Sequence, residues 1–358
     1  MAVALVAMFV GLVWAPAASA ASDPLASGST TLTLNRGLVK KLKRSGVRIL
    51  KVGSATVRGR KATFPVTGGS LDPTTGAGTV NHSGGIKFKR GKRNVALKNF
   101  IVDTTTASLN GRVGRKSQKI ASTKGVTFTR NGFGVDVKVS NLKLTGKTAR
   151  ALNKKLGLKG KKKVRGNSSL GASASTTQPS TVTVLPVGNA SLNPDSATLA
   201  KFASKGVNPL TDIRPINGAG VGPGPSFVFP ISGGTIGLTA NAGTLNTSGG
   251  LAIAPAAKLK TEFNNLSADF GTKVITAEVN ITPSPPGPGN LGRTSIADID
   301  LTGATVSSDA SARTVSVANM TVKLQAVAAA TLNEVYPGGV NFVAGDSLGT
   351  VSFTAQTQ

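Results

Sequence analysis

Phe64-Pro65-Val66-Thr67-Gly68-Gly69-Ser70-Leu71 recurs further along the chain as Phe229-Pro230-Ile231-Ser232-Gly233-Gly234-Thr235-Ile236. The match continues without a gap to Ile86 and Leu251, and most of the changes swap like for like, Val80 for Leu245 among them. Its flanks agree. Lys41-Leu42 with Gly46-Val47 is echoed by Lys201-Phe202 with Gly206-Val207, and Val135 to Asn153 aligns with Val315 to Asn333. A repeat of this length is a whole domain, so the chain is two tandem copies of one module.

Each copy reads in the same order. Leu38, Val39 and Leu42 fall at helical spacing after Asn35 and before Gly46, as do Leu199, Phe202 and Ala203 between Asp195 or Ser196 and Gly206. Strands follow, with Val95, Leu97 and Phe100, Val126-Thr127-Phe128, and Val135, Val137 and Val139 alternating apolar with polar. A second short helix is expected at Thr148 to Leu156 and at Val327 to Val335, before Gly157 and Gly338. The expected fold is mainly β: two antiparallel, sandwich-like modules, each with about two short helices. Residues 21–170 form the first module and 194–358 the second. The Ser, Ala, Thr, Gly and Pro-rich residues 171–193 read as a linker, in which Val182, Val184 and Val187 could make an edge strand.

Met1 to Trp14 is almost wholly apolar, and Ala18-Ser19-Ala20 offers a small-x-small cleavage pattern. Residues 1–20 therefore read as a signal peptide. The protein is expected to be secreted or held at the cell envelope, with no transmembrane segment after cleavage. Cysteine is absent, which excludes disulfides and thiolate metal sites.

Through Leu170 there are 33 Lys and Arg against 4 Asp and Glu; from Gly171 onward there are 9 against 10. The net charge of +28 therefore belongs to the first module. The neutral copy shows that the fold does not need it, as where Arg112 aligns with Glu278. Lys154, Lys155, Lys159, Lys161, Lys162, Lys163 and Arg165 form the densest run, and Lys40, Lys41, Lys43, Arg44 and Arg48 the second. One-sign charge of this density suits an anionic partner. For an exported protein that partner is an anionic cell-envelope polymer; a solvated face is the plainer alternative. Nucleic acid is not expected, because no aromatics interleave the basic runs.

Catalytic chemistry finds little material. The first copy has four carboxylates, Asp23, Asp72, Asp103 and Asp136, and the chain has one histidine, His82. No Ser-His-Asp set, multi-histidine zinc site or phosphate-binding lysine loop is legible. No enzymatic activity, resident cofactor or metal is expected.

The run Gly68-Gly69-Ser70-Leu71-Asp72, Gly76-Ala77-Gly78-Thr79-Val80, Asn81-His82-Ser83-Gly84-Gly85-Ile86 and Val95 to Asp103 resembles the HtaA-type domain of actinobacterial secreted and surface proteins, which often occurs in tandem. The resemblance implies a β-rich binding module and, in the haem-uptake members, a haem pocket with a tyrosine ligand supported by a histidine. Haem is thus a possible ligand, with His82 and Tyr336 the candidate residues. His82 has Thr247 as its counterpart, and the only tyrosine, Tyr336, lies in the other copy.

Overall fold

The computed structural model describes residues 22–224, 226–256, 259–282 and 289–358. The expected signal peptide lies outside the described residues. Four helices are seen among them: α1 (Arg36–Arg44), α2 (Gly146–Leu156), α3 (Ser196–Ser204) and α4 (Ala326–Val335), with one short 3-10 turn at Gly160–Lys162. These are the four expected helices, two per module. Asn35 caps α1 by accepting from the Leu38 amide (3.1 Å), and Asp195 caps α3 by accepting from the Ala197 amide (2.9 Å). Gly157 closes α2 in the left-handed conformation (φ 64°).

The sandwich-like expectation is corrected: each module is a closed barrel. In the first, strand Arg93–Asp103 pairs with Ser108–Val113, Lys116–Asn131, Gly134–Leu144, Ser169–Pro179, Asp23–Leu34, Lys61–Leu71 and Gly78–His82 in turn, and the last returns to Arg93–Asp103. The second closes through the same circuit, starting at Lys260–Asp269 and returning by Gly243–Thr247. Alternating sequence demands one buried face but does not say whether two sheets or one curved sheet buries it. Bulges supply the curvature. The register slips between Val66 and Gly68 and between Ile231 and Gly233. Gly69 then has φ 109°, and a Cβ there would lie 2.2 Å from the Thr79 carbonyl oxygen. The repeated glycine pair is where the barrel wall bends.

Residues 171–193, read as a linker that could hold an edge strand, are mostly strand. Ser169–Pro179 is a full barrel strand between Asp23–Leu34 and Gly134–Leu144, and Thr181–Val184 is an edge strand on Phe227–Gly237. The join is thus Ser180 alone. Small alternating residues disguise this strand, because Gly171, Ser173, Ser175 and Thr177 face a crowded interior.

Each barrel has its own apolar core, but the two are docked. Phe133, in the Asn131–Gly134 turn of the first barrel, is 5% exposed and packs into the core of the second. The Arg130 guanidinium donates to the Gln358 carbonyl (2.6 Å), and Asp23 Oδ1 accepts from the amide and hydroxyl of Thr183 (3.0 Å each).

Candidate functional site

Two regions stand out, the charged end of the first barrel and the interior of the second. The charged end is set by topology. Leu34 and Leu142 both lie opposite Gly171, so α1 and α2 leave the barrel at the same end. The basic runs of the two ends of the module therefore meet there. Lys40, Lys43, Arg44, Lys154, Lys155, Lys159, Lys161, Lys162, Lys163 and Arg165 are exposed, and Lys41 is half-buried.

Sequence reasoning missed that three hairpin tips bring further cations to this end. Arg60 Nη1 donates to the Leu34 carbonyl (3.1 Å), and Arg90 Nη1 donates to the Gly157 carbonyl at the end of α2 (2.8 Å). Arg115 and Lys116 sit at a third tip, whose outgoing strand is tied to α2 by Gln118 donating to Thr148 (3.1 Å). Strand-turn-strand spacing around Gly59, Gly91 and Gly114 is the signal that could have found them.

The four carboxylates of the module are at the other end. Asp72 and Asp103 hold turns there, Asp23 pairs opposite Leu71, and Asp136 is held by Asn131. This is the end that contacts the second barrel. The four ion pairs seen among the described residues all belong to the second barrel. The first barrel is thus polarised, with its cationic end turned away from its partner and lacking carboxylate counterions of its own.

The candidate haem residues are not brought together. His82 is 5% exposed inside the first barrel. Its Nδ1 lies 3.0 Å from the Phe100 carbonyl, which can only accept, so Nδ1 carries a proton, and Nε2 lies 2.5 Å from Thr30 Oγ1. Thr30 Oγ1 is in turn 2.7 Å from Ser175 Oγ. Burial pushes the imidazolium below the ordinary histidine value, against the pull of the Phe100 carbonyl. The space beside it is only about 20 Å³. Tyr336, fully buried in the second barrel, donates to the Ile253 carbonyl (2.9 Å) and contacts Thr261 Oγ1 (3.0 Å). Burial raises the phenol to about 12. Neither residue presents a free donor to a haem iron, and neither faces a space of haem size, so this pair does not fit the group.

The interior of the second barrel differs. It holds a partly open cavity of about 170 Å³, lined by side chains of both helices and of the barrel wall, with Thr198 and Thr247 the only polar ones among the described residues. The nine residues around the His82 void each have a counterpart on the cavity wall by strand register. Thr30, His82, Phe100 and Val102 correspond to the smaller Ala190, Thr247, Leu266 and Ala268. Ser173 and Ser175 correspond to the larger, apolar Val351 and Phe353. A polar, filled interior has become an apolar, open one. At roughly 24 cal/mol per Å³, the void forgoes about 4 kcal/mol of packing. That is a large share of the roughly 5–15 kcal/mol by which a domain is stable.

The HtaA family model, described as Htaa, matches residues 199–348, within the second module, and the first module repeats the topology of the second. Similar solved structures include three from Corynebacterium glutamicum. The C-terminal domain of HtaA is 10% identical, covering 44% of this chain and 98% of its own, with TM-score 0.36. The heme binding protein HtaB is 16% identical, covering 50% and 95%, with TM-score 0.31. The N-terminal domain of HtaA is 16% identical, covering 49% and 99%, with TM-score 0.33. Among curated proteins none matches the chain. Among the described residues no helix is long and apolar enough to cross a membrane, which says nothing of β-barrels.

Proposed function

We propose that this is an exported, non-enzymatic binding protein whose first barrel holds it on an anionic cell-envelope polymer through the helix end. The observation that carries this reading is the gathering of α1, α2 and three hairpin tips into one cationic end, with all four carboxylates of the module at the other. Such an arrangement costs self-repulsion and is useful mainly against an anion. Exposed charges are screened over about 8 Å at physiological salt and about 3 Å at 1 M. Full-length protein should therefore bind isolated cell envelopes at low salt and be released steeply as salt rises. Retention that ignores salt would refute the reading.

A second reading is haem binding, favoured by the HtaA match over residues 199–348 and by the haem-binding role in the name of HtaB. Against it stand the internally bonded His82 and Tyr336. Adding hemin to the full chain separates the readings. A Soret shift that weakens in Tyr336→Phe would support a tyrosine-ligated haem, and an unchanged hemin spectrum at protein excess would dismiss it.

A further inference from the structure

We propose that the interior of the second barrel is a binding site for a small uncharged hydrocarbon group, about the size of a single ring. The proposal stands apart from the haem reading, because it needs no metal donor and the cavity offers none.

The first barrel is the internal control. At shared positions its interior is closed: Leu32, Ile86 and Leu97 are 3%, 0% and 0% exposed, whereas their register counterparts Leu192, Leu251 and Phe263 are half-buried. The same scaffold can therefore be packed shut, and in the second copy it is not. The ligand's chemistry follows from the wall. No ionisable side chain lines the cavity among the described residues. Its two hydroxyls are spent internally, Thr198 donating to the Ser347 carbonyl and Thr247 to the Leu266 carbonyl at 3.3 Å. A carboxylate, phosphate or ammonium placed there would be stripped of water with nothing to pair it. A hydrocarbon gains instead, and an apolar cavity of about 150 Å³ is known to stay dry and take up benzene, close to the volume of about 170 Å³ here.

Toluene titrated into the full chain and followed by methyl NMR tests the idea. The expected result is a saturable shift of the Leu192, Leu251, Met320 and Val351 methyls, with Leu32 and Leu109 of the first barrel unmoved. Replacing two wall residues by their first-barrel counterparts, Leu266→Phe with Ala268→Val, should weaken the binding at least tenfold without lowering the melting temperature. Should that pair fail to fold, Ala190→Thr provides a milder filling of the same wall, with weaker binding again expected. Toluene shifts that do not saturate, that spread equally over both barrels, or that survive the filling substitutions would overturn the proposal. So would methyl shifts produced by hemin and not by toluene.

Discussion

His82 and Thr247 occupy the same place in the two barrels, each the last residue of its strand and each paired across a glycine bulge, with Val66 and Ile231 respectively. One interior is closed by a hydrogen-bonded imidazole and the other is left apolar and open. The consequences of that exchange can be measured from both sides.

On the first side, acid should loosen the first barrel. The His82 imidazolium is disfavoured by burial, so its folded pKa lies below the ordinary value of 6.5 and the folded state binds fewer protons than the unfolded chain in that window. Its contribution is complete above about pH 6.5 and is lost as pH falls towards the folded value. In His82→Ala this histidine-linked slope should vanish. The substitution should also cost about 1–3 kcal/mol at neutral pH, because the Phe100 carbonyl and Thr30 hydroxyl lose a partner. Denaturant melts across pH read both effects.

Tyr336 should be a poor ligand and a silent acid. It is the only tyrosine, so the ultraviolet absorbance of tyrosinate reports it alone. Burial holds its phenol at about 12, so the tyrosinate absorbance of the folded protein should rise around that pH and not around 10. An ordinary titration near 10 would show that Tyr336 is not sealed behind Ile253 and Thr261. In Tyr336→Phe the Ile253 carbonyl loses its donor, at a cost of about 1–3 kcal/mol.

Phe133 should couple the two barrels. Truncating a buried phenylalanine costs about 3–5 kcal/mol, and here the ring is what anchors the turn of the first barrel in the core of the second. Calorimetry of Phe133→Ala should resolve two transitions where the parent chain shows stronger coupling. A single transition, unshifted, would mean that the docking is incidental.

Asp23 should be better as an amide. Burial raises its carboxyl above the ordinary value, and its Oδ2 finds no partner among the described residues. A raised folded pKa gives stability that is present at low pH and lost as pH rises through it. Asp23→Asn keeps an acceptor for Thr183 and removes the buried charge. It should hold or raise the melting temperature at neutral pH and flatten its dependence on acid.

Much of this architecture is legible from residues alone, because the features concerned are local. In the glycine pairs Gly68-Gly69 and Gly233-Gly234 the second glycine repeats since a Cβ there would lie 2.2 and 1.9 Å from the Thr79 and Thr244 carbonyl oxygens, and Asn35 and Asp195 mark helix starts by their own side chains. Barrel closure is not local. It depends on pairings such as Val80 with Val102 and Leu245 with Ala268, which alternation does not encode. Ser169–Pro179 reads as a linker because its inward residues are small, and they are small because His82 and Thr30 fill the space facing them. The basic runs are plain in the sequence, but their convergence follows only from Leu34 and Leu142 sharing Gly171 as a neighbour. The cavity is the least legible, since it arises from the sum of many modest exchanges.

The most direct test of the central claim is the binding of the full chain to isolated cell envelopes at low salt. The parent should be compared with a charge-reversed variant, Lys154→Glu, Lys155→Glu, Lys161→Glu and Lys162→Glu, and with a control of equal fold, Lys273→Glu. The account predicts that the first variant loses at least tenfold in affinity and most of its salt dependence, while the control binds as the parent does. Equal binding by all three would contradict it.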